Sequence, residues 1–138
     1  MIARLFAILI AVMVAVPGLA SGDGKVPLPE EAHINQQLIA AQAGDILRNT
    51  CPAAHARFFV VWDKMIQLQN YARQAGYTEG EVKAFLKDPV QKARVKAAAE
   101  AYLAKAGVRP GDVESYCQVA RDEVAKGTLL GQIIWVSK

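Results

Sequence analysis

Two histidines and two cysteines, with acids spaced around them, are the side chains here whose chemistry and spacing merit a first look. Glu30 stands three residues before His33 in "EEAH". On a helix this Glu-x-x-His spacing sets a carboxylate and an imidazole on one face, as in carboxylate-bridged di-iron bundles. Such a centre needs a second copy of the pair and further carboxylates from facing helices. "PAAH" before His55 has no acid at the matching position. Glu30 and His33 are therefore only weak metal candidates, and a solvated helix start describes them better. His55, close to Arg57 in the first turn of a helix, reads as a surface or packing residue rather than a base. No nucleophile elbow, phosphate loop or haem-attachment motif occurs. The sequence thus predicts no catalytic residue, no cofactor and a non-enzymatic protein.

The chemistry of Cys51 and Cys117 depends on the compartment in which the chain folds. "MIARLFAILIAVMVAVPGLASG" has one early Arg4, an apolar run from Leu5 to Val16, a Pro17-Gly18 break and then small residues. This pattern predicts a secretory signal peptide over residues 1–20, cut after Ala20 or, as second choice, after Gly22. A run of about 12 apolar residues is shorter than the ~20 a membrane span needs. No cysteine stands at the cleavage region to carry a lipid anchor. The expected location is periplasmic or secreted. Two cysteines in an exported chain point to one structural disulfide, Cys51 to Cys117. A redox pair is the rival, and no Cys-x-x-Cys spacing supports it.

Composition narrows the class further. The chain has 138 residues, 53% hydrophobic but only 7% aromatic, so its apolar excess is aliphatic and alanine-rich, as in helical proteins. The formal charge is +3; losing Arg4 with the leader leaves 16 − 1 = 15 basic residues against 13 acidic. Charges of both signs are spread along the chain with no basic block, which argues against nucleic acid as a partner.

Residues 21–28 read as a flexible lead-in, and 29–138 as one all-α domain of four main helices, one short helix and a C-terminal piece. Pro29 and two acids suit a helix start. In "PAAHARFFVVWDKMIQLQNYARQAGY", Phe58, Val61, Trp62, Met65, Leu68 and Ala72 recur at helical spacing and are expected in the core, with Gly76 ending the helix. Thr78 and Glu81 form a capping box for a short helix bearing Val82, Phe85 and Leu86. Asp88-Pro89 starts another helix, ended by Gly107, and "RPGD" a last long one, ended by Gly127. The lysines and Arg94 between Lys87 and Lys105 suit a solvated face better than a lipid surface.

The ending "LLGQIIWV" is expected to be helical, with Leu129, Ile133 and Val136 in one line against the bundle and Trp135 pointing away. Ile134 and Trp135 are the candidate contact for a partner protein, with peripheral membrane contact the other use of an exposed aromatic.

The leader, "GDILRNTCP", "GYTEGEVKAFLKDPVQKARVKAAAEAYLAKAGV" and "ESYCQVARDEVAKGTLLGQII" together resemble a family of small secreted bacterial helical proteins known only as a domain of unknown function. The resemblance spans nearly the whole mature chain and both cysteines, and brings no catalytic residue. It is loosely associated with genes near those of the respiratory NADH:quinone oxidoreductase. That association implies a binding, assembly or accessory factor for an envelope or respiratory membrane complex. A chaperone-like stress protein is the alternative, and an unrecognised metal protein or enzyme the third.

Overall fold

The computed structural model describes residues 24–138. The expected signal peptide and both candidate cleavage positions lie outside the described residues. The architecture is all-α with one disulfide: α1 (Ala32–Thr50), α2 (Phe58–Gln74), α3 (Glu79–Lys87), α4 (Pro89–Ala106), α5 (Val113–Lys126) and α6 (Leu129–Ile133). Two three-residue strands, β1 (Ala54–Ala56) and β2 (Ile134–Val136), pair antiparallel with His55 opposite Trp135.

Local chemistry sets most of the boundaries. Glu31 caps α1 by accepting the Ile34 N–H at 2.5 Å, so Pro29 belongs to a 3-10 turn (Leu28–Glu30) ahead of the helix. Thr78 and Glu81 close the capping box of α3. Asp88 and Asp112 cap α4 and α5, and Gly107 (φ 118°) and Gly127 (φ 63°) end them in the left-handed region. Residues 25–28 are held rather than loose. Lys25 pairs with Glu81 at 2.7 Å, the Tyr77 hydroxyl donates to the Val26 carbonyl, and Leu28 is buried.

The main core gathers Ala43, Leu47, Ala99, Leu103, Ala120 and Leu130 around the Cys51–Cys117 disulfide, whose Cα atoms stand 5.1 Å apart. Closing a loop of 66 residues, this bond stabilises the fold by about 4 kcal/mol in the chain-entropy account. A second cluster of Leu28, Ile34, Ala72, Tyr77 and Phe85 fills the other end. Burial in the main core relies on aliphatic and alanine side chains, which let the helices approach closely, while the second cluster takes the rings of Tyr77 and Phe85.

The closest approach is at Gly131, where α6 lies against the end of α5. A Cβ there would overlap the Glu123 carbonyl and come within 2.8 Å of the Val124 nitrogen, both backbone atoms that cannot swing aside. At Gly44 a Cβ meets only side-chain ends, Ile133 Cδ1 at 3.3 Å and Leu130 Cδ1 at 3.4 Å. Gly131→Ala is expected to destabilise by about 3 kcal/mol or more. Gly44→Ala should be near neutral, since a mid-helix alanine recovers up to about 1 kcal/mol of propensity. Chemical denaturation of both variants checks the contrast, and equal losses would contradict it.

Candidate functional site

The second helix departs most from its expected role. Val60, Val61, Leu68 and Ala72 turn inward, and α2 packs chiefly on α6 and α1. Phe58, Trp62 and Met65, expected in the core, face outward, 69%, 54% and 46% exposed. Phe59 (84%) and Ile66 (42%) lie beside them. At 100° per residue these five span about 120° of the helix and ~12 Å of its length. They form one unbroken apolar face, with the Phe58 and Phe59 rings edge to face at 5.7 Å. The reason for the departure is geometric. "FFVVW" places apolar side chains on every side of the helix, and the inner side is filled by the valines, so the aromatics have no core to enter.

The helix is fixed at both ends. Arg57 donates its backbone N–H to the Ile133 carbonyl and its Nε to the Ile134 carbonyl, each at 2.8 Å. At the other end the Tyr71 hydroxyl donates to Glu31 Oε1 at 2.6 Å. Burial pushes the Glu31 carboxyl up, but the Tyr71 hydroxyl and the Ile34 and His33 N–H groups outweigh it and hold it below its ordinary value. The exposed aromatics therefore ride on a positioned scaffold.

The other candidate residues separate. His55 lies in β1, not in a helical turn, and its ring stacks on Trp135 at 4.4 Å. Strand geometry alternates sides, so Trp135 is 43% exposed while Ile134 is 2% exposed. Ile134 is a core residue and cannot form a partner contact; Trp135 keeps its outward position. The C-terminal segment is half helix and half strand because Arg57 and β1 capture its last residues. Glu30 sits in the 3-10 turn, and the extended Glu31 (ψ 108°) separates it from the helix carrying His33, so the two do not share a helical face. His33 stacks on Tyr71 at 4.3 Å. Among the described residues no three His, Cys, Asp or Glu side chains converge as metal ligands, and no helix is long and apolar enough to cross a membrane.

One buried acid escaped the sequence reading. Glu123, 4% exposed, accepts the Tyr102 hydroxyl at 2.7 Å and the Thr128 hydroxyl, and so joins α4, α5 and the start of α6. Its burial and both partners mark it as structural.

Residues 26–135 match a family of unknown function, DUF5333. The chain belongs to that family. Neither the curated proteins nor the solved structures give a match. The DUF5333 region begins just before the 3-10 turn and ends within β2, so it contains α2 and both cysteines.

The charged groups around α2 and α3 give a pH test of how residue 25 is held. Hydrogen bonds from Lys25, and next from the Thr78 backbone N–H, lower the Glu81 pKa from 4.5 to about 2. A depressed acid pKa contributes stability above the unfolded value that is lost as pH falls through the folded one. The stability gap between the native protein and Lys25→Met should be full above pH 4.5 and shrink toward pH 2. Thermal melts across that range read it, and a gap independent of pH would contradict the pairing.

Proposed function

We propose that this DUF5333 protein is a non-enzymatic periplasmic binding or accessory factor whose working surface is the outward face of α2. The observation that carries this reading is that face: five large apolar side chains, three of them aromatic, exposed together on a helix secured at both ends. A patch at the upper end of what monomers expose is often functional, and aromatic side chains dominate the energetics of protein contacts. The occupant that suits it is the apolar surface of another helix, which can interdigitate with a row of side chains at three- and four-residue spacing. The leader-like N-terminus and the association of the family resemblance with respiratory genes support a setting in the envelope, beside a membrane complex. Trp135, on its His55 platform, is a second and smaller contact.

Photo-crosslinking residues at positions 59 and 62, placed one at a time in the exported protein in living cells, should each give discrete protein adducts. Position 126, an exposed lysine at the end of α5, should give none. Truncating Trp62 to Ser is expected to weaken the contact by about 2 kcal/mol, ~30-fold in affinity. Absence of adducts at both 59 and 62 would overturn this reading.

A further inference from the structure

We infer that the α2 face is covered by α2 of a second copy of this chain, packed antiparallel across a two-fold axis at Trp62. The inference rests on α2 being a protein-docking face and names its occupant. Two observations carry it. The first is the order of the exposed residues. Phe58, Phe59, Trp62, Met65 and Ile66 fall at −4, −3, 0, +3 and +4 relative to Trp62. A two-fold contact must meet itself, residue i touching j while j touches i. At 100° per residue Phe58 and Met65 lie along one side of the stripe, and Phe59 and Ile66 along the other. Turning a copy over about Trp62 sets Phe58 against Met65 of the second copy, Phe59 against Ile66 of the second copy, and Trp62 against itself. Every apolar side chain then meets an apolar one.

The second observation is area. Taking ~200 Å² for a fully exposed large side chain, the five expose roughly 600 Å². That is the upper end of the ~300–600 Å² of the largest patch on a typical monomer. With the exposed Gln69 and Arg73 as a polar rim, it approaches the ~800 Å² per partner of a stable interface. A lipid surface suits the face less well. A helix lying on lipid carries basic residues along its polar face. Here Asp63 and Asn70 border the stripe, the one lysine of α2, Lys64, is half-buried on the opposite side, Arg57 is turned back onto the Ile134 carbonyl, and Arg73 is the one cation in line with the apolar side chains.

Sedimentation equilibrium of the mature protein, well above micromolar concentration, should give twice the chain mass. Trp62→Glu and Phe59→Glu should each return it to the single-chain mass with unchanged helical circular dichroism. Trp62→Cys, lying on the axis, should form a covalent dimer in air, and Gln74→Cys, on another side of the helix, should not. The cysteine pair keeps the test decisive even if a glutamate variant fails to fold. A native protein at the single-chain mass throughout, with no covalent dimer from Trp62→Cys, overturns the self-pairing. If position 62 then crosslinks to a different protein, α2 remains a docking face and only its occupant is wrong. If it crosslinks to nothing, both readings fall, and binding of the native protein to anionic vesicles, lost in Trp62→Glu, would assign the face to lipid instead.

Discussion

The corner built around Cys51 is the constraint on which the rest of this fold depends. Within a few residues the chain ends α1, enters the disulfide to α5, pairs β1 with β2, and locks the head of α2 through Arg57. The consecutive elements α1, β1 and α2 there meet α5 and β2 from the far end of the chain, and the side chains that fill the space between them are mostly leucine, isoleucine, valine and alanine. Gly131 lets α6 lie directly on the backbone of α5. The side of α2 that faces this corner is filled by Val60 and Val61. The aromatics Phe58, Phe59 and Trp62 are accordingly outside.

Much of this was legible in the residues themselves. Helix boundaries follow from caps whose hydrogen bonds are local: Thr78 with Glu81, Asp88, Asp112, and the left-handed glycines 107 and 127. The disulfide follows from two cysteines in a chain with a leader-like N-terminus, and the structure joins them. These signals act over a few residues or by elimination, so neighbours in sequence are enough to read them.

What could not be read is long-range. A stripe at three- and four-residue spacing says that a helix has an apolar side, not which of two apolar sides the core takes. The run "FFVVW" carried the warning, because five consecutive apolar residues wrap the whole helix. Strands of three residues are too short for alternation to register, so β1 and β2 appeared only once residues 54–56 and 134–136 were brought together. That pairing is what separates Ile134 from Trp135, one buried and the next exposed. Glu123 was unremarked for the same reason: its partners Tyr102 and Thr128 come from other elements.

The central claim is that the aromatics of α2 serve something outside this chain's own core. The most direct measurement is the thermal midpoint of the Phe59→Gln, Trp62→Gln double variant, taken at dilution below any association. If the face lies outside the core, each change is a surface substitution and the midpoint should stay within about 3 °C of the native protein under the same conditions. If the two rings are core, their loss costs about 3 to 5 kcal/mol each and the midpoint should fall by more than ~15 °C, which would contradict the account.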